Sequence, residues 1–136
     1  MTRDELTRKI LAAKRAKGLT WKAIVDEVGG GSAVYLTAAL MGQMKLRPEQ
    51  AERAAELFDL DEGEKRLLQE IPYRGSLPTV VPTDPLIYRF YELVQVYGTT
   101  WKELIQEEFG DGIMSAIDFD TAIERQPDPQ KATASS

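Results

Sequence analysis

Residues 20–42 read TWKAIVDEVGGGSAVYLTAALMG, and this stretch decides the fold of the first half of the chain. Thr20 precedes Trp21, Ala23, Ile24, Val25 and Val28, apolar residues at the spacing of a short amphipathic helix. Gly29-Gly30-Gly31 breaks it, because glycine is a poor helix former. Ser32 then caps another helix running through Val34, Tyr35, Leu36, Leu40 and Met41 to Gly42. Upstream, Thr2 and Glu5 have capping-box spacing, Leu6, Ile10, Leu11 and Ala13 follow at helical period, and Gly18 closes the segment. Downstream, Pro48 suits the first turn of a fourth helix that carries Ala51, Ala54, Ala55, Leu57 and Phe58. Asp61 caps a fifth, with Leu67, Leu68 and Ile71 as its apolar residues. Residues 1–72 therefore predict a five-helix bundle.

Two short helices joined by a glycine turn resemble the helix-turn-helix domain of phage-repressor-type regulators. A recognition helix, however, needs Arg, Lys, Asn or Gln for base edges and a basic surface for phosphates. SAVYLTAALMG has no charged and no amide side chain. Residues 1–70 hold 12 basic and 12 acidic side chains, a net of zero. The pattern favours packing or assembly over nucleic-acid binding. A DNA-binding or assembly module without catalysis stays as the alternative reading.

The chain has 136 residues, 43% hydrophobic and 29% charged, the balance of a soluble globular protein. It contains no cysteine and no histidine. Thiol nucleophiles, disulfides, zinc fingers and Ser-His-Asp relays are thereby excluded. A metal site would have to be built from carboxylates around a hard cation. No apolar run approaches the ~20 residues that span a bilayer, and MTRDELTRKI lacks a signal-peptide core. The expectation is a cytoplasmic protein without a membrane partner.

The net charge of −5 sits in residues 71–136, with 5 basic and 10 acidic side chains. The junction PYRGSLPTVVPTDP holds Pro72, Pro78, Pro82 and Pro85, which stop helices and favour extended chain. Residues 73–85 read as a Pro-rich linker, ordered because Leu77, Val80 and Val81 offer apolar surface to bury. Each half is small, and ~65 residues give a marginal core, which favours burial against a partner subunit.

Residues 83–97, TDPLIYRFYELVQVY, start a helix with Thr83 or Asp84 as cap and Pro85 in the first turn. The helix is apolar nearly all round, the mark of a buried one. Arg89 and Glu92, three apart, share a face and can touch. A buried pair of this kind is either a structural salt bridge or an anion site using the spare guanidinium donors. Both readings stay open on residue pattern alone. Gly98 is expected to end this helix, with Thr99 or Thr100 capping the next, which carries Trp101, Leu104, Ile105 and Phe109 and a solvated Glu107-Glu108. After the turn Gly110-Asp111-Gly112, the alternation of Ile113, Ser115, Ile117, Phe119, Thr121 and Ile123 predicts a strand with one buried face. Ser115 on that face needs a hydrogen-bond partner, either backbone or a ligand beside Arg89.

The run DPLIYRFYELVQVYGTTWKELIQEEFGDGIMSAIDF closely resembles the cyanase (cyanate hydratase, cyanate lyase) family through YRFYE, QVYG and FGDGI.SAI.F. DELT, LRPEQAERAAELF and PYRGSLPT in the first half fit as well, so the resemblance covers residues 2–130. It implies an α+β, mainly α fold: a repressor-like helical bundle over 1–72 and a small helix/strand catalytic and dimerisation domain over 86–130. It also implies interlocked C-terminal domains, a homo-oligomer that is a decamer of five dimers, and active sites between dimers. The implied reaction joins cyanate and bicarbonate to give carbamate and carbon dioxide, carbamate then yielding ammonia and carbon dioxide. No cofactor is implied beyond bicarbonate as co-substrate. The family's catalytic residues match Arg89, Glu92 and Ser115, with Arg89 and Ser115 also binding substrate. Cyanases usually continue past PDPQ with another strand and a closing motif like GKFLPY. Here KATASS follows, and residues 131–136 are expected to form a disordered tail, with assembly and activity impaired.

Overall fold

The structure, a computed structural model, describes residues 1–110 and 121–127. Contacts divide the chain into two units, one containing Met1–Arg74 and one that begins at Gly75.

Five helices build the first unit: α1 (Arg3–Ala16), α2 (Trp21–Val28), α3 (Ala33–Leu40), α4 (Pro48–Phe58) and α5 (Glu62–Leu67). Their starts follow from local chemistry. Thr2 accepts from the Glu5 amide while Glu5 accepts from the Thr2 amide, closing the capping box on α1. Thr20, Ser32 and Asp61 cap α2, α3 and α5 through side-chain oxygens. Gly29 and Gly30 sit at φ 65° and 81°, where a side chain is strained. A Cβ on Gly30 would also lie 3.0 Å from Arg47 Nη2 and 3.1 Å from Gln50 Nε2. The turn is glycine because α4 holds it tightly. Arg47 and Gln50 donate to the Gly30 carbonyl, and Arg53 donates to the Val28 carbonyl.

The apolar faces of all five elements meet in one core of Leu6, Ile10, Ile24, Val28, Leu36, Ala39, Leu40, Leu46, Ala51, Ala54, Phe58 and Leu68. α3 places Leu36, Ala39 and Leu40 in that core. Leu68 caps the C-terminal end of α5 and is fully buried. Ile71, expected among the apolar residues of α5, lies outside it and is exposed, because the helix ends at Leu67.

In the second unit, α6 runs unbroken from Pro85 to Phe109. Asp84 caps it, accepting from the amides of Leu86 and Ile87, with Pro85 in the first turn. The expected break at Gly98 is corrected. An internal glycine costs only ~1 kcal/mol against alanine, which a helix of 25 residues can absorb. The helix stops instead at Gly110, which turns to φ 79°.

Two further expectations are corrected. α6 reads as a buried helix, yet it contains no buried residue in the single chain. Leu77, Val80 and Val81 of the linker are likewise exposed. The last departure concerns the strand. Its start, including Ser115, lies outside the described residues, and residues 121–127 have no regular structure. Among the described residues there is no strand at all, since a strand exists only with a partner to pair its backbone. The fold is mainly helical.

Candidate active site

Arg89 and Glu92 lie one turn apart on α6, and the helix brings them together as their spacing requires. Arg89 Nη1 donates to Glu92 Oε1 at 3.0 Å. The pair is not buried in the single chain: the side chains are 71% and 43% exposed. The expectation of a buried pair fails for the same reason as that of a buried helix. The contact leaves guanidinium donors on the far edge of the fork, and a guanidinium can hold two oxygens of an anion through parallel N–H bonds. Glu92 engages one edge of the guanidinium and supplies a carboxylate beside any anion held there. Ser115, the third expected site residue, lies outside the described residues, so its place relative to the pair is part of the proposal below.

Rings adjoin the pair and recur further along the helix. Tyr88 and Tyr91 pack with centroids 5.6 Å apart, and Tyr97 and Trp101 stack at 5.9 Å. Such rings lower the local dielectric once covered, which strengthens charge–charge interactions. Among the described residues, no group of three or more acidic side chains is placed to hold a metal ion.

One half-buried cation escapes sequence reasoning. Arg3, in the first turn of α1, donates to the carbonyls of Leu67 and Glu70 through Nη1 and to those of Ala39 and Met44 through Nη2. It thereby closes the C-terminal ends of α3 and α5 onto α1. Burial lowers its pKa, and the charge of Glu70 opposes that shift. No spacing rule foretells it, since its acceptors are backbone carbonyls 36 to 67 positions away.

Residues 3–72 match the family model for the N-terminal domain of cyanate hydratase, and residues 79–135 match the cyanate lyase C-terminal domain. A cyanate hydratase from Methylibium petroleiphilum is 60% identical over 129 residues, 95% of this chain and 87% of that one. One from Polaromonas sp. is 56% identical over 130 residues, 96% and 88% of the two chains. Among solved structures, the cyanase of T. urticae aligns with a TM-score of 0.68 at 40% identity, covering 80% of this chain and 77% of that one. Fold and matches together define the class: a helical N-terminal unit joined to a lyase C-terminal domain. The chain belongs to the cyanate hydratase family.

Proposed function

We propose that this chain catalyses the bicarbonate-dependent decomposition of cyanate. Cyanate, bicarbonate and one proton give carbamate and carbon dioxide. Carbamate takes up a second proton and falls to ammonia and a second carbon dioxide. The observation that carries the reading is the Arg89–Glu92 contact, on a chain 60% identical to a cyanate hydratase.

The chemistry suits these residues. Both substrates are monoanions, and bringing them together is opposed by Coulomb repulsion of ~4 kcal/mol at 4 Å in a medium of effective dielectric 20. An Arg, always charged, offsets that repulsion and aligns the two reactants, which removes much of the entropic barrier. Glu92 orients Arg89 and is placed to hand on a proton. The Ser115 hydroxyl binds an anion beside Arg89. A binding role suits it better than nucleophilic attack, since no His or Lys stands beside it in the sequence to activate it. No resident cofactor takes part; bicarbonate is a co-substrate.

The working form is a homo-oligomer, the family's decamer of five dimers, in which sites form between subunits. Support comes from α6, whose apolar surface a single chain leaves uncovered. We place the protein in the cytoplasm. No helix among the described residues is long and apolar enough to cross a membrane.

The test is ammonia release from cyanate with and without bicarbonate, repeated with Arg89→Ala. The expected result is release that requires bicarbonate and falls at least a hundredfold in the variant. Release that ignores bicarbonate, or survives loss of Arg89, overturns the reading.

A further inference from the structure

Cyanate stands in equilibrium with isocyanic acid, an electrophile toward amines. A neutral amine attacks its carbon: a C–N bond forms as a C=N π bond opens, and a proton passes from the amine to the isocyanate nitrogen. The product is a neutral carbamoyl group, so a modified lysine loses its charge, as it does on acetylation. A guanidinium stays charged at any working pH and has no free lone pair to offer. For a chain that handles cyanate, the kind and placing of each cation decides what survives.

The cations of the chain divide by what they join. Among backbone carbonyls and beside Glu92 the cation is arginine: Arg3 between α1, α3 and α5, and Arg89 on α6. The one lysine of α6, Lys102, lies about 20 Å from Arg89 along the helix axis. Three lysines of the first unit join elements, and each is tied to a carboxylate. Lys9 of α1 donates to both carboxylate oxygens of Glu64 on α5, at 2.8 and 2.7 Å. Lys17, which follows α1, donates to Asp59 at 2.8 Å and to the Leu57 carbonyl at 2.7 Å, at the end of α4. Lys65 of α5 reaches Glu52 of α4 and Glu62, both at 2.8 Å. Its pKa is raised, first by Glu52 and then by Glu62. Lys14 rests on a ring, 5.3 Å from the Trp21 centroid. Lys22 and Lys45 are exposed, and their side chains make no hydrogen bond or ion pair among the described residues.

An amine in an ion pair must give up its carboxylate before its nitrogen can attack, whereas Lys22 and Lys45 surrender nothing. Burial does not account for the difference, since the Lys9 and Lys17 side chains are 42% and 39% exposed. The tied lysines are also the ones whose charge matters. Neutralising Lys9 would leave the buried Glu64 carboxylate without its cation, a costly state. We infer that carbamoylation by the chain's own substrate falls on Lys22 and Lys45 and spares Lys9, Lys17 and Lys65, the amines that join α1, α4 and α5. The inference rests on the cyanate reading above and adds a modification pattern to it.

The full chain is incubated with excess potassium cyanate in bicarbonate-free neutral buffer, and partial carbamoylation is followed at each lysine by peptide mass spectrometry. Lys22 and Lys45 are expected to lead, with Lys9, Lys17 and Lys65 slower by up to about fivefold per ion pair, the size of an exposed contact. Equal rates, or Lys9 ahead of Lys22, overturn the inference. Glu52→Gln/Glu62→Gln removes both partners of Lys65 at exposed positions. Labelling at Lys65 should rise several-fold while that at Lys22 stays as it was. No rise, with an unchanged circular dichroism spectrum, shows that position rather than pairing shields Lys65 and overturns the inference. A rise at every lysine together reports unfolding, and Asp59→Asn then decides through Lys17, since asparagine tolerates the left-handed backbone of Asp59. Faster labelling of Lys17 in that variant supports the inference, and an unchanged rate overturns it. Ammonia release with and without bicarbonate is measured in parallel. The expected order without bicarbonate-dependent release supports the pattern and counts only against the enzymatic reading. The wrong order with release intact overturns the pattern alone.

Discussion

Glu92→Gln separates a structural ion pair from a working one, because the two readings differ in size by an order of magnitude. The Arg89–Glu92 contact is an i, i+3 pair with both side chains well exposed. Such a pair stabilises a helix by ~0.2–0.5 kcal/mol, as opposed charges in water attract weakly and ordering two long side chains costs entropy. Glutamine keeps the side-chain length and a carbonyl oxygen for Arg89 Nη1, so even that small amount is partly retained. With a urea dependence of ~1–3 kcal/mol per molar, the unfolding midpoint should move by less than about 0.5 M. Loss of a proton-handling carboxylate lowers a rate by ~10²–10⁴-fold, equivalent to ~3–5 kcal/mol of transition-state stabilisation. The assay is bicarbonate-dependent ammonia release set beside urea unfolding followed by circular dichroism, at one fixed protein concentration. The expected result is a large fall in kcat with an almost unmoved midpoint. Activity within twofold of the parent would refute proton handling by Glu92. A midpoint lowered by more than ~1 M, with activity lost in proportion, would refute the functional reading and make the pair structural.

Two further outcomes follow from the helical unit. Arg3→Met should destabilise the chain by ~2–3 kcal/mol, since it strips charged donors from several carbonyls at the ends of α3 and α5, and the midpoint of urea unfolding reads this directly. Glu5 has its pKa held below the ordinary carboxylate value, chiefly by the Thr2 amide and then the Thr2 hydroxyl. Its contribution is therefore present above the unfolded-state pKa and is lost as pH falls through the folded one, so Glu5→Gln should lower stability in the neutral region and leave it little changed at acid pH, flattening the limb between them.

The sequence was most legible where a helix start depends on a few adjacent atoms. Thr2, Thr20, Ser32, Asp61 and Asp84 each cap the helix their position suggests, because a side-chain oxygen two or three residues before a free amide needs no tertiary help. Gly98 misled because residue type alone does not distinguish a glycine inside a helix from one that turns out of it; only φ does. Arg3 was invisible because backbone acceptors leave no signature in residue identity. Of the proposed site, the i, i+3 contact between Arg89 and Glu92 was readable from spacing. Its exposure was not, since an apolar helix announces that it will be covered but not by which chain.

That last point bears on how the site works. The repulsion between two monoanions 4 Å apart, and their attraction to a guanidinium at similar distance, both scale inversely with the local dielectric, from ~1 kcal/mol per pair in water to ~4 at an effective value of 20. One Arg89 beside two anions makes two attractions against one repulsion, and the Glu92 carboxylate adds a repulsion with each anion, so this pair alone does not hold both substrates. On the lone α6, where Arg89 is 71% exposed, every one of these terms is close to its weakest. A surface that covers the helix strengthens them all at a cost in desolvation, so it raises anion binding when it brings hydrogen-bond donors or positive charge with it. The apolar residues around Arg89 and Glu92 have two roles on this view: they recruit the covering subunit, and once covered they lower the dielectric in which the pair acts. The 25-residue helix ties assembly to chemistry because both depend on excluding water from the same surface.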